Sequence, residues 1–298
     1  MAKETSSLLG DLSDALSNVV EKAGQSVVRV DDGTRLTATG VVWSSNGVIL
    51  ATSHGVEKDE DLSIETADGK SYPTNVIGRD PDTDLVLLQA KVKGLPAIER
   101  AREDTVKVGH LALALGRPGN SGLQATIGII GSRIESQSGG QTGYILHTDV
   151  VLYPGFSGGP LVDIEGRIVG LNNLMYGRGK GVAVGTPILT HIAGALLSHG
   201  RVQRGYLGVR TQNADLPKSL GLEQSGGALI VQVESVSPAE RAGLLLGDVI
   251  LAADGQTVND VDDLRTILRA RQAGQDVSLK ILRAGAVKEV TASLTSAE

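Results

Sequence analysis

Tyr153-Pro-Gly-Phe-Ser-Gly-Gly-Pro-Leu161 sets one serine, Ser157, inside a glycine-rich turn and follows it at once with an apolar stretch. A serine hydroxyl is a poor nucleophile near neutral pH and needs a positioned base. Glycines on either side let backbone N–H groups converge where an oxyanion would form. The same letters also satisfy the G-x-S-x-G pattern of α/β-hydrolases, whose serine must be followed by a helix, with acid and histidine later in the chain. Here Pro160 and the run Leu161-Val-Asp-Ile-Glu-Gly-Arg-Ile-Val-Gly170 read as two strands around a turn, so the hydrolase reading fails on its context.

Working outward, residues 26–189 carry short strands with turn signals between them. In the first half these are Ser26–Val30, Leu36–Trp43, Val48–Thr52, Leu62–Glu65, Thr74–Gly78 and Leu85–Lys91. Asn46-Gly47 suits a type I′ hairpin. Past a break near Pro96–Glu103 come Val106–Val108, Leu111–Leu115, Gln124–Ser132, Tyr144–Thr148, Leu161–Asp163, Arg167–Asn172 and Gly181–Thr186. No long helical period separates them, which points to two β-barrels with a cleft between, not a parallel βαβ sheet. An amphipathic helix is expected over residues 8–23, with Leu8, Leu12, Ala15, Leu16, Val19, Val20 and Ala23 on one face and Ser6 or Ser7 as cap. A second helix over Pro187–His199 ends at Gly200. Residues 205–298 form a further unit of five strands, with a short helix from Pro238 and a longer one over Val261–Arg271.

Five histidines could serve Ser157: His54, His110, His147, His191 and His199. His54 follows the buried run Ile49–Thr52, and Asp84 opens the apolar strand Leu85–Leu88. A short acid at the head of an apolar strand can be half buried and still reach an imidazole, fixing its tautomer. The remaining histidines read as surface or core residues. Asp80 and Asp82 read as turn-capping groups, and Asp149 as a structural hydrogen-bonding group. No pair has metal-ligand spacing beside an acid cluster, so no metal site is expected. Gly116-Arg-Pro-Gly119 and Gly177-Arg-Gly-Lys-Gly181 read as surface loops.

The order His54…Asp84…Ser157 resembles that of trypsin-like proteases, and the neighbouring motifs resemble the HtrA/Deg branch. They are Asp80-Pro-Asp-Thr-Asp84-Leu, Thr148-Asp149 ahead of Pro154-Gly-Phe-Ser157-Gly-Gly-Pro-Leu161, and Gly205-Tyr-Leu-Gly-Val209. The resemblance implies a mainly β chain: a trypsin-like double β-barrel over residues 25–200, preceded by a helix at 1–24 and followed by an α+β PDZ domain at 201–298. It implies His54 as general base, Asp84 as its orienting acid and Ser157 as nucleophile. The N–H groups of Gly155 and Ser157 become the oxyanion hole. Val182, Ala183 and Val184 line the pocket for the residue before the cut, small and apolar, favouring modest aliphatic side chains. At the PDZ unit, Tyr206, Leu207, Gly208 and Val209 receive a peptide C-terminus, against a helix bearing Leu264, Ile267 and Leu268.

The chain departs from that branch at Phe156 and Tyr153, where asparagine is usual, and at Ser53 and Gly55 around the histidine. These substitutions keep open an alternative, a non-catalytic peptide-binding or chaperone-like protein on a degenerate protease scaffold. The resemblance implies unfolded protein substrates, ATP-independent protein quality control and a homo-oligomer, a trimer in this family. Family trimers use aromatic contacts near the N-terminus, and this chain has no aromatic residue before Trp43.

Composition narrows the alternatives. The net charge of -6 gives no basic footprint for nucleic acid. The absence of cysteine excludes disulfides, thiolate catalysis and thiolate metal sites, and no cofactor is expected. Aromatic residues make up only 2%, so cores must be built from Val, Leu, Ile and Ala. No apolar run is long enough to span a bilayer. With no leader at its start the chain is expected in the cytoplasm as written, and in the periplasm or another extracytoplasmic space if a leader has been removed.

Overall fold

The strand signals close into two six-stranded antiparallel barrels and a smaller sheet unit in a computed structural model, which describes residues 2–34, 38–119, 121–138, 141–177, 181–217, 219 and 221–296. Residues 35–37 and 178–180 lie outside the described residues. Two compact units divide the chain: Met1–Ser136 with Thr142–Val202, and Gln137–Gln141 with Gln203–Glu298.

Barrel 1 consists of β1 (Val27–Asp31), β2 (Ala38–Ser44), β3 (Val48–Thr52), β4 (Leu62–Glu65), β5 (Ser71–Asp80) and β6 (Leu85–Ala90), closed in the order β1-β2-β3-β6-β5-β4. Its strands are almost wholly apolar because successive side chains serve two different cores. Val28, Val30, Val42, Ile49, Val86 and Leu88 fill the barrel interior. Their neighbours Val27, Val41, Leu50, Leu85 and Leu87 share a second core with strands of the other barrel and with the helices Ala2–Gly24 and Thr186–His199. Each such fully buried aliphatic side chain contributes about 1.5–3 kcal/mol of transfer free energy.

Barrel 2 consists of β7 (Leu111–Gly116), β8 (Gln124–Ser138), β9 (Gln141–Thr148), β10 (Pro160–Val162), β11 (Ile168–Asn172) and β12 (Gly181–Gly185), in the order β10-β11-β12-β9-β8-β7. Between β11 and β12 lies a short helix, α2 (Leu174–Gly177), which the strand pattern does not announce. Helix α3 (Thr186–His199) ends as expected, with Gly200 left-handed at φ 69° and its N–H donating to the Leu196 carbonyl.

Several local expectations are corrected. The stretch Val106–Val108 is not a strand: His110 N–H bonds back to Lys107, Gly109 sits at φ 90°, and Val106 drops into the barrel core while Val108 stays exposed. The Asn46-Gly47 hairpin is not type I′, which needs positive φ at both central residues. Only Gly47 has it (φ 86°), in a three-residue loop between the paired Ser44 and Val48. Helix α1 begins at Ala2 and runs to Gly24, so Ser6 and Ser7 lie inside it and not at its N-cap. It packs through Leu16, Val19, Val20 and Ala23, whereas Leu8 and Leu12, assigned to the same apolar face, remain 72% and 49% exposed.

The second unit has β13 (Gly205–Tyr206), β14 (Val209–Asp215), β15 (Gly226–Val233), α4 (Pro238–Arg241), β16 (Val249–Ala253), β17 (Gln256–Thr257), α5 (Val261–Arg269), β18 (Asp276–Arg283), β19 (Ala286–Ser293) and β20 (Thr295–Ser296). Its main sheet runs β14-β15-β16-β18-β19, which leaves β14 at an edge. Both helices carry the caps their sequences call for: Ser237 accepts from the Glu240 N–H, and Asp260 from the Asp263 N–H. Asp248, 1% exposed, pairs with Arg283. Burial opposes its ionisation, but the Arg283 guanidinium and the Leu245 N–H outweigh that and hold its carboxyl below the usual range.

Candidate active site

His54, Asp84 and Ser157 come together in the first unit, two from barrel 1 and one from barrel 2. Asp84 stands at the start of β6, where the turn from Pro81 brings it to φ 56°, a left-handed conformation that aspartate tolerates better than most residues. Its backbone carbonyl accepts from the Ser53 N–H at 2.9 Å, which seats the histidine loop directly above it. The carboxylate then grips His54 twice. Oδ1 accepts from the His54 backbone N–H at 2.9 Å, and Oδ2 lies 2.5 Å from Nδ1. With Nδ1 committed to the acid, Nε2 is the nitrogen left to exchange a proton. Asp84 is nearly buried (side chain 6% exposed) while the imidazole is 27% exposed, so the base faces the solvent side and the acid does not.

A residue that motif reading missed completes this cluster. Asn173, fully buried, donates from Nδ2 to Asp84 Oδ2 at 2.8 Å. Its Oδ1 accepts from the Met175 and Tyr176 N–H groups and so caps α2. The signal was present in the sequence: Asn172 and Asn173 end a strand that is otherwise apolar, and buried amides are placed for their hydrogen bonds.

On the barrel 2 side, Phe156 N–H donates to the Tyr153 carbonyl across the Tyr153-Pro154-Gly155-Phe156 turn. Proline second and a glycine at φ 87° third are what a type II turn demands. Ser157 follows, 4% exposed, and its Oγ accepts from the Leu174 N–H at 3.2 Å. Among the described residues no hydrogen bond joins Ser157 Oγ to His54. Gly158 (φ 86°) permits the next close approach, since a Cβ there would sit 2.0 Å from the Thr39 carbonyl. Beyond it the loop is laced to β11, with Gly158 N–H donating to the Asn172 carbonyl and Asn172 N–H to the Gly159 carbonyl.

The two aromatic departures have different fates. Phe156 is fully buried in the barrel 2 core beside Ala114, Leu161 and Ala183, and its ring covers Gly116, where a Cβ would meet it at 2.6 Å. Tyr153 remains half exposed, edge-on to Phe156 at 5.7 Å. Val182, Ala183 and Val184 are all buried in β12, Ala183 toward the barrel core and Val184 toward the core shared with α3. Asp149 Oδ1 accepts from the Ile129 N–H at 2.6 Å and does not join the cluster. No group of acids and histidines that could hold a metal is found among the described residues.

In the second unit, Tyr206, Leu207, Gly208 and Val209 line one groove of about 460 Å³ together with Leu264, Arg265 and Leu268. Leu207 and Ile267 are core residues, and Ile267 does not line the groove. Strand β14 starts only at Val209, because the Leu207 and Gly208 carbonyls are taken by the Ala239 and Glu234 N–H groups. The Tyr206 hydroxyl bonds to Glu234 Oε2.

Comparison with known proteins agrees with both units. A trypsin-like peptidase domain family matches residues 38–171, and a PDZ domain family matches residues 205–294. Probable periplasmic serine endoproteases named DegP-like are similar: that of Pseudomonas fulva is 34% identical over 84% of this chain, and that of Chlamydia pneumoniae 35% over 87%. The chain spans about half the length of these relatives, 54% and 55%. Among solved structures, the HtrA-type protease AlgW with a tripeptide is 31% identical, with a TM-score of 0.72 over 95% of this chain and 97% of that one. The serine endoprotease from Yersinia pestis is 28% identical, with a TM-score of 0.74 over 95% and 98%. The relatives are named periplasmic, which leaves the cytoplasmic expectation without support. No helix among the described residues is long and apolar enough to cross a membrane.

Proposed function

The chain belongs to the HtrA-type, DegP-like serine proteases, and from that premise we propose that it is an ATP-independent endopeptidase that cleaves unfolded proteins through Ser157, His54 and Asp84. The observation that carries the reading is the two-point grip of Asp84 on His54, which leaves Nε2 free for proton transfer. Ser157 Oγ attacks the scissile carbonyl as its proton passes to His54 Nε2. The imidazolium is stabilised by Asp84 and returns the proton to the leaving amine. Water then repeats the sequence on the acyl-enzyme. Gly155 and Ser157 N–H groups receive the oxyanion. Swinging Ser157 Oγ from the Leu174 N–H toward His54 belongs to the first step. β12, with Val182, Ala183 and Val184, forms the floor beneath the side chain preceding the cut, favouring small aliphatic residues.

The rest of the reading assigns residues 1–24 to an N-terminal amphipathic helix, 25–200 to the protease domain and 201–298 to the PDZ domain. The open edge of β14 and the groove under Tyr206–Val209 suit an added peptide strand with its C-terminal carboxylate at the loop. Substrates are captured there by their C-termini. The setting is periplasmic quality control, with the chain working as a homo-oligomer. Full-length protein and Ser157→Ala are compared on reduced casein without nucleotide. The wild type is expected to produce fragments at a rate at least about a thousandfold above the variant. Equal rates, or casein bound but uncut by both, would replace the protease with the non-catalytic peptide-binding reading.

A further inference from the structure

Thr39 is a buried polar residue in an apolar strand. Its neighbours in β2 are Ala38, Gly40, Val41 and Val42, and it is 0% exposed. A valine would serve the strand as well and would bury no hydroxyl, so the polar atom is there for what it bonds. Those bonds all run to the loops of barrel 2. Thr39 Oγ1 accepts from the Arg117 backbone N–H at 2.9 Å, which turns its own proton toward the Gly155 carbonyl at 2.6 Å. Thr39 N–H donates to the Ser157 carbonyl at 3.3 Å. One residue therefore holds the carbonyls on both sides of Phe156.

The grip matters because Gly155 has no side chain to restrict it. A glycine exchanges between positive and negative φ at little cost, and each exchange swings its N–H. The peptide joining Gly155 to Phe156 is planar, so fixing its oxygen and its N–H fixes the plane. Thr39 Oγ1 holds the oxygen, and the Tyr153 carbonyl holds the N–H at 3.0 Å. Arg117 braces the clamp from behind. Its guanidinium donates to the Val27 carbonyl at 3.0 Å and the Gly24 carbonyl at 3.3 Å, at the end of α1. The segment Gly116-Arg-Pro-Gly119, which reads from sequence as a surface loop, is thus tied at its first half into the barrel and helix.

We infer that Thr39 is a positioning residue for the nucleophile turn: its hydroxyl fixes the Gly155–Phe156 peptide plane, which keeps Gly155 at positive φ and so sets the Gly155 N–H before that plane and the Ser157 N–H after it toward the oxyanion. This rests on the proteolytic reading above, and the test separates the two. Thr39→Val, Thr39→Ala and Thr39→Ser are prepared in the full-length chain with 15N-labelled glycine and serine. Turnover of a small peptide substrate is measured beside the amide signals of Gly155 and Ser157. Thr39→Val and Thr39→Ala are expected to lower kcat about ten- to a hundredfold with KM within about twofold, the scale of a lost oxyanion donor. Their Gly155 and Ser157 amide signals shift. Thr39→Ser, which keeps the hydroxyl, restores the signals and kcat to within about threefold. The inference is overturned if Thr39→Val and Thr39→Ala keep wild-type kcat, if Thr39→Ser is as damaged as either, or if the two amide signals do not move. Should Thr39→Val fold poorly, Thr39→Ala, which adds no bulk, decides the same question. If the wild type turns over nothing, proteolysis fails, and the amide signals alone still decide whether Thr39 holds the turn.

Discussion

Barrel 1 and barrel 2 contribute to one site by opposite means. Barrel 1 supplies an acid and a base locked together by two hydrogen bonds from His54 to the Asp84 carboxylate, and Asn173, from the β11–β12 connection of barrel 2, adds a third. Barrel 2 supplies a serine whose place is set by backbone shape and apolar packing. Phe156 is the anchor, glycines make the close approaches, and carbonyls and N–H groups do the bonding. The lesson is that the two halves should fail differently. Damage to the barrel 2 half should appear as lost stability, and damage to the polar half as lost turnover in a protein that still folds.

The largest expected effect is on the apolar anchor. Phe156→Ala removes a fully buried ring under the nucleophile turn and should cost about 3–5 kcal/mol. For a unit of this size that lowers Tm by roughly 6–20 °C, read by calorimetry or circular dichroism. An unchanged Tm would mean that the turn is not hung from the core, and the contrast between the barrels would collapse.

Next comes the polar hold. Asn173→Ala deletes a buried amide bond to an ionised carboxylate, worth about 1.5–3 kcal/mol, and should lower kcat about ten- to a hundredfold. Its Tm should fall less than that of Phe156→Ala. If stability drops as far as in the phenylalanine variant while kcat holds, Asn173 is a capping residue for α2 and no more. The smallest effect is expected at Tyr153, half exposed with a single edge contact to Phe156. Tyr153→Ala should cost about 1 kcal/mol or less by thermal denaturation. A loss as large as that at Phe156 would show that the two aromatic rings act as one anchor.

Motif order brought out His54, Asp84 and Ser157 because each sits in its own short signature, and short apolar runs between turn signals brought out most strands. Asn173 and Thr39 stayed hidden because their partners are distant in the chain. Asn173 lies 89 positions from Asp84, and Thr39 lies 116 positions from Gly155. No local pattern encodes such a contact; only the packing of one barrel against the other makes it. Phe156 and Tyr153 look alike in sequence, as two aromatics where asparagine is usual, yet one is core and the other half exposed. Their difference is one of depth: Phe156 enters the barrel 2 core, whereas Tyr153 lies edge-on to it at the surface. α1 failed in the opposite sense. Its periodicity is continuous, but only the half from Leu16 onward finds a surface within the unit, and Leu8, Leu9 and Leu12 stay exposed.

The most direct test of a joined His54–Asp84–Ser157 centre is the site of reaction with a fluorophosphonate, read by mass spectrometry of the intact chain and its peptides. One adduct, on Ser157, slowed by orders of magnitude in His54→Ala, is the predicted result. No adduct, an adduct on another serine, or labelling of Ser157 at an undiminished rate without His54 would contradict it.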